Sequence, residues 1–224
     1  MQRKKCGIET AERIIEVAFK LFYENGYDKT TTQDISNISG VSKGAIFHHF
    51  KSKEDILAAV LDKQNEHIAH TLQKWANNLK RDNAREKIIA LLERSIKDRD
   101  VLAPLDCIIS SQQRDPRFVV SNMLNGVNKS APIVAKLLRD GKNDGSISTN
   151  SPDECAEIFF LLISTWCDNN LFGYDTTLLE QRLNYIREIM QQMGADIVSE
   201  KYIKDFVKFI EKLHKEISKA NKNK

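Results

Sequence analysis

The chain has 224 residues, 41% of them hydrophobic and 29% charged, with a formal net charge of +3. That is the composition of a globular protein with room for two unequal domains, and it excludes collagen-like, disulfide-scaffold and low-complexity classes. No run of about 18 apolar residues occurs, so a membrane span is not expected. The start, MQRKKCGIETAERII, is basic but has no apolar core and no cleavage site, so no secretory signal is expected and the expected location is the cytoplasm.

Charge is unevenly placed. Residues 1–53 carry nine Lys/Arg against six Asp/Glu, and residues 199–224 carry eight Lys against four acids, which leaves the middle acidic. Positive ends suit a chain that meets phosphate at one end, although the C-terminal excess also fits a solvated helix face. The four cysteines, Cys6, Cys107, Cys155 and Cys167, form no Cys-x-x-Cys pair, which favours reduced, buried thiols over a redox pair.

Period-2 alternation is absent and helical spacing recurs, so the expected class is all-α. Ala11, Ile14, Ile15, Ala18 and Phe22 line one face of a first helix that stops at Gly26. Thr31, with Asp34 three residues on, caps a second helix; Gly40 turns the chain; Ser42 caps a third helix ending near Phe50. Ile35, Ile38, Val41, Ile46 and Phe50 are expected to bury the inner faces of these two helices. Ser52 then opens a long helix to about residue 79, with Leu57, Val60, Leu61, Ile68, Leu72, Trp75 and Leu79 as its stripe.

Further helices are predicted over about 84–96 and 102–113, and from Asp115-Pro116 onward, with a kink or new start at Pro132 and a loop marked by Gly141 and Gly145. Ser151-Pro152-Asp153-Glu154 reads as a cap, a first-turn proline and a glutamate reaching back, and predicts a helix over about 152–171 that is apolar around much of its circumference. Two more are predicted over about 175–193 and from Ser199.

The segment Thr30–Lys53, TTTQDISNISGVSKGAIFHHFKSK, carries the chemistry. A helix that enters a DNA groove needs small residues near its start, and Lys43, Gly44 and Ala45 follow the Ser42 cap directly. Exposed N–H groups and partial positive charge at a helix start favour a phosphate. Lys43, His48, His49, Lys51 and Lys53 surround that helix with donors.

Phe22, Gly26, Tyr27, Thr30, Asp34, Ile35, Gly40, Val41, Ser42, Gly44, His49, Phe50, Lys53 and Leu57 stand in an order and spacing that resembles the DNA-binding domain of the TetR family of bacterial transcriptional regulators. The resemblance covers about residues 8–60, with a looser likeness around Gly141 to Gly145. It implies a helix-turn-helix domain over 1–53, a linking helix over 52–79 and a helical effector-binding and dimerisation domain over 54–224. It implies double-stranded DNA as partner, with Thr31 and Ser42 toward phosphates, Lys43 and Gly44 at base edges or the groove wall, His48 and Lys53 clamping the DNA backbone, and Thr32, Ala45, Phe47 and His49 also in the contact set. The family usually has tyrosine where this chain has Phe47, and phenylalanine lacks the hydroxyl that meets a phosphate. Ser39 replaces the usual alanine.

The same resemblance implies a homodimer, formed here through the helices at about 152–171 and 175–193, a palindromic operator and an unknown small-molecule effector. Two-fold symmetry sets recognition helices about 34 Å apart. Trp75, Phe118, Met123 and Trp166 are the candidate pocket walls, with Asp106, Gln112, Gln113 and Asn169 as polar handles. The acidic middle weakly favours a cationic or neutral effector. No cofactor and no metal are expected: His67 and His70 share a helix face without a third ligand. No Gly-rich phosphate loop, nucleophile elbow or HExxH pattern occurs, so an enzyme is not expected. The alternative function is a ligand-independent DNA-binding protein acting in chromosome organisation or through a protein partner.

Overall fold

The computed structural model describes residues 2–98, 116–173 and 175–222. Every regular element among them is helical: α1 (Gln2–Asn25), α2 (Thr32–Ser39), α3 (Lys43–His49), α4 (Lys53–Asn78), α5 (Ala84–Lys97), α6 (Pro116–Asn125), α7 (Ala131–Asp144), α8 (Pro152–Leu161), α9 (Asn169–Phe172), α10 (Thr176–Gln192) and α11 (Glu200–Lys222). Two wide π-helical turns, Gly126–Ser130 and Leu162–Trp166, follow α6 and α8. The helix expected over 102–113 lies outside the described residues. Two compact units divide at Asn65 and Glu66, inside α4.

In the first unit, Ile14, Ala18, Leu21 and Phe22 of α1 are buried with Ile35, Val41, Ile46, Ile56, Leu57, Val60 and Leu61. Each full burial of such a side chain contributes about 1.5–3 kcal/mol. Ala11 and Ile15 are only half-buried. Thr31 and Asp34 form the anticipated capping box: Asp34 N donates to Thr31 Oγ1 at 3.1 Å, and Thr31 N to Asp34 Oδ2 at 2.8 Å. Gly40 ends α2 at φ 66°, a left-handed backbone that suits glycine. Ile38, expected inside, is 61% exposed. It belongs to the outer side of α2, and the buried place goes to Ser39, whose Oγ accepts from Val41 N at 3.2 Å. The side-chain bond satisfies the turn where an apolar group could not.

In the second unit α7 packs against α5 and α8, and α11 against α5 and α10. Asn83 Oδ1 caps α5 by accepting from Glu86 N at 2.9 Å, and the Asp144 carboxylate accepts from Ala84 N at 2.8 Å. Gly141 lies inside α7 and not in a loop, because Ile147 folds over it: a Cβ there would meet Ile147 Cγ1 at 2.5 Å. Gly145 makes the left-handed end. Pro132 occupies the first turn of α7, directly after the wide turn at Gly126–Ser130.

The region expected as one helix over 152–171 is broken. After α8 the chain widens at Leu162–Trp166, where Cys167 N donates to Leu162 O at 3.0 Å, then resumes as the short α9. The β-branched Ile163 and Thr165, the latter donating to the Leu161 carbonyl, disturb the regular ladder. Ser151 does not cap α8 with its side chain. Its backbone sits outside the cap geometry, its N–H donates to Thr149 Oγ1 at 3.2 Å, and Asp153 is drawn to Arg139 at 2.5 Å.

A candidate nucleic-acid interface on the second and third helices

α3 is held by its buried residue Ile46, with Val41 buried in the turn before it. That anchoring leaves Lys43, Gly44, Phe47 and His48 exposed together, with Ala45 half-buried. Ser42 Oγ caps the helix by accepting from Ala45 N at 3.3 Å, and remains exposed itself. Thr31 at the start of α2 is exposed and Thr32 is half-buried. His49 is half-buried, its ring 5.6 Å from that of His48 and 6.3 Å from that of Phe50. Phe47, 48% exposed, is an apolar side chain on an otherwise polar face. Phenylalanine there does little for the core and offers a flat apolar surface to a groove, where a thymine methyl is one apolar feature that can be contacted.

Lys53 has an internal engagement that sequence reading missed. Its ammonium donates to the Tyr27 and Thr30 carbonyls, both at 3.0 Å, and lies 4.1 Å from the centroid of the Tyr27 ring. Tyr27 in turn packs edge-on against Phe22 at 5.1 Å. The signal was present as two residues of the motif, but twenty-six positions apart with nothing in the spacing to join them. Ser52 accepts from Asp55 N at 3.2 Å, and the Asp55 carboxylate from Lys51 N at 3.0 Å, which fixes the turn from α3 into α4.

Of the anticipated pocket residues, Trp75, Met123 and Trp166 have described side chains. Trp75 is buried beneath the Arg94 guanidinium at 4.5 Å. Trp166 is half-buried, edge-on to Tyr185 at 6.1 Å, and its carbonyl accepts from Arg182 Nη1 at 2.8 Å. Met123 is half-buried on α6. Asp106, Gln112 and Gln113 lie outside the described residues, as do the side chains of Phe118 and Asn169. Cys155 and Cys167 are buried. Burial pushes the Cys167 thiol up to about 12, against the opposing pull of Arg182, so it is not a reactive thiolate. His67 and His70 are exposed, and no helix among the described residues is long and apolar enough to cross a membrane.

A short capped helix, presented by a glycine turn from a second capped helix, defines a DNA-binding helix-turn-helix of the kind that transcription regulators use. Residues 14–60 match the profile described as "Bacterial regulatory proteins, tetR family". The chain is 42% identical over 67 residues to the HTH-type transcriptional regulator TtgR of Pseudomonas putida, a stretch covering 30% of this chain and 32% of that protein. It is 26% identical over 168 residues to the uncharacterized HTH-type regulator YvkB of Bacillus subtilis, covering 74% and 80%. The chain thus matches about a third of the length of the first of these relatives. In fold it is similar to the crystal structure of RolR in complex with resorcinol, with a TM-score of 0.64, 16% identity, and coverage of 89% of this chain and 95% of that one.

Proposed function

We propose that the chain is a homodimeric repressor that acts in the cytoplasm, binds a palindromic operator in double-stranded DNA, and is released by a small molecule held in its second unit. The carrying observation is α3 itself, capped at Ser42, anchored by Ile46, and exposing Lys43, Gly44, Phe47 and His48 on one side. On this reading Lys43, Gly44, Ala45 and Phe47 meet the groove. Thr31, Thr32, Ser42, His48 and His49 meet phosphates. Lys53 serves the interface mainly by holding the Tyr27–Thr30 loop that leads into α2.

Dimerisation through the helical regions of about 152–171 and 175–193 is supported by exposed apolar surface beside and on them: Phe172, at the end of α9, is 53% and Tyr185 of α10 55% exposed. Control by a ligand is supported by α4, one helix that begins in the first unit and ends in the second. The likeness in fold to a protein crystallised with resorcinol supports an effector of small-molecule size.

The test is enrichment of genomic DNA fragments by the purified protein at near-physiological salt. One strongly enriched palindrome is the expected result. Enrichment no better than non-specific binding removes the repressor reading.

A further inference from the structure

α3 is poor in side chains that can read a base edge. Of its seven residues, Gly44, Ala45, Ile46 and Phe47 offer no side-chain hydrogen bond. His49 is half-buried against α1, where a Cβ on Gly7 would lie 3.8 Å from its Cε1. Lys43 and His48 are the exposed polar side chains that remain. Each base pair shows its own pattern of donors and acceptors in the major groove, and two side chains read little of it. Further reading of base edges needs polar groups from another element.

α2 supplies a pair of them. Gln33 and Asn37 are both exposed, while Ile35 and Ser39 take the buried side of the helix. Gln33 Nε2 donates to Asn37 Oδ1 at 2.7 Å, and neither side chain has another partner among the described residues. Their place on α2 is set by Ser36, whose Oγ donates to the Val41 carbonyl at 2.7 Å and so lies against the entry to α3. Residues three apart are neighbours on a helix surface, which puts Gln33 beside Ser36, on the flank of α2 next to the Ser42 cap and Lys43.

A carboxamide is matched to adenine: it donates to N7 and accepts from the N6 amino group at once. The Gln33 amide nitrogen carries two N–H groups, and Asn37 takes one of them. One N–H and the carbonyl oxygen stay free, which is the pair that adenine requires. The bond to Asn37 also orders a long side chain before DNA arrives, so less freedom is lost on binding.

We propose that Gln33 of α2, oriented by Asn37, reads an adenine in each half-site and is a specificity-determining residue of the interface. The inference rests on the reading that the first unit binds a palindromic operator, and it adds a base reader outside α3.

Titration of the full chain against the enriched palindrome and all its single-base variants, at one salt concentration, tests it. Wild type should lose roughly tenfold or more in affinity when one particular A·T pair of the half-site is changed, the scale of one bidentate contact. Gln33→Ala should lose a similar factor on the palindrome and become indifferent at that pair alone, with its other preferences kept. Gln33→Glu should move the preference there from adenine to cytosine, whose N4 amino group donates to a carboxylate; such a switch cannot come from a loss of folding. Asn37→Ala should keep the adenine preference with a smaller loss. Uniform weakening of Gln33→Ala across all variants would make Gln33 a phosphate contact and overturn the proposal, as would unchanged preferences in Gln33→Ala or an adenine preference kept by Gln33→Glu. Any of these beside a wild type that binds its palindrome sinks only the Gln33 assignment. A wild type that binds no DNA above the non-specific level sinks the repressor reading, and this one with it.

Discussion

The Lys53 ammonium sits on the Tyr27 ring, 4.1 Å from its centroid, while donating to the carbonyls of Tyr27 and Thr30. The first residue of α4 thus holds the loop that delivers the Thr31 cap. A lysine that looks from sequence like a phosphate contact spends two of its three N–H donors inside the protein.

Lys53→Met keeps the aliphatic stem and removes the charge. Its expected effects are a loss of about 1–3 kcal/mol of stability, the scale of hydrogen bonds from a charged group, and weaker DNA binding. The slope of log affinity against log salt should stay unchanged. A slope reduced by about 0.9, the signature of one lost phosphate contact, would assign Lys53 to the DNA backbone instead.

Phe47→Tyr adds a hydroxyl to a ring that is already 48% exposed, so no core packing opposes it. Affinity should rise by about fivefold, corresponding to roughly 1 kcal/mol for one added hydrogen bond, with the preferred sequence unchanged. Titration against the enriched palindrome and against single-base variants of it decides the point; equal or weaker binding counts against a nearby phosphate.

Thr31→Ala removes the hydroxyl arm of the capping box, leaving the backbone N–H to the Asp34 carboxylate, and should cost about 1 kcal/mol. The Thr31 side-chain hydrogen bond, with the Thr31 backbone N–H, holds the Asp34 carboxyl below its ordinary 3.8. A carboxyl depressed by folding stabilises fully above its unfolded value, and that contribution fades as pH falls through 3.8 toward the folded value. Melting midpoints followed downward from about pH 5 should therefore fall less steeply in Thr31→Ala than in the wild type through this window. Parallel curves would mean that the box is absent in solution.

Tyr185→Glu places a charge on the uncovered apolar side of α10, where Tyr185 is 55% exposed. Sedimentation should show monomers in place of dimers, and binding to a palindrome should fall toward that of a half-site. An unchanged dimer would move the interface elsewhere.

Ala69→Pro interrupts α4 past the border of the first unit, a break that costs about 3 kcal/mol or more in a helix interior. Once an effector is known, it should still raise the melting midpoint of the variant but no longer release DNA. If release persists, α4 does not carry the signal.

Much of the first unit was legible because its determinants are local. A cap and its partner lie three residues apart, a glycine turn is one residue, and the apolar stripe of a helix repeats every three to four. Thr31 with Asp34, Gly40, Ser42 with Ala45 and the stripe of α4 could therefore be placed from spacing alone. Ile38 fits the same spacing yet lies outside, because an apolar pattern marks a helix face without saying how wide a face the neighbours cover.

The sequence by itself determined an all-α chain with a helix-turn-helix at one end, since capping and periodicity are short-range properties of the backbone. Only the tertiary structure decided that Lys53 would reach back to Tyr27 and that α8 would end in a wide turn. Those outcomes depend on residues far apart in the chain meeting in space, and packing settles such meetings after the helices have formed.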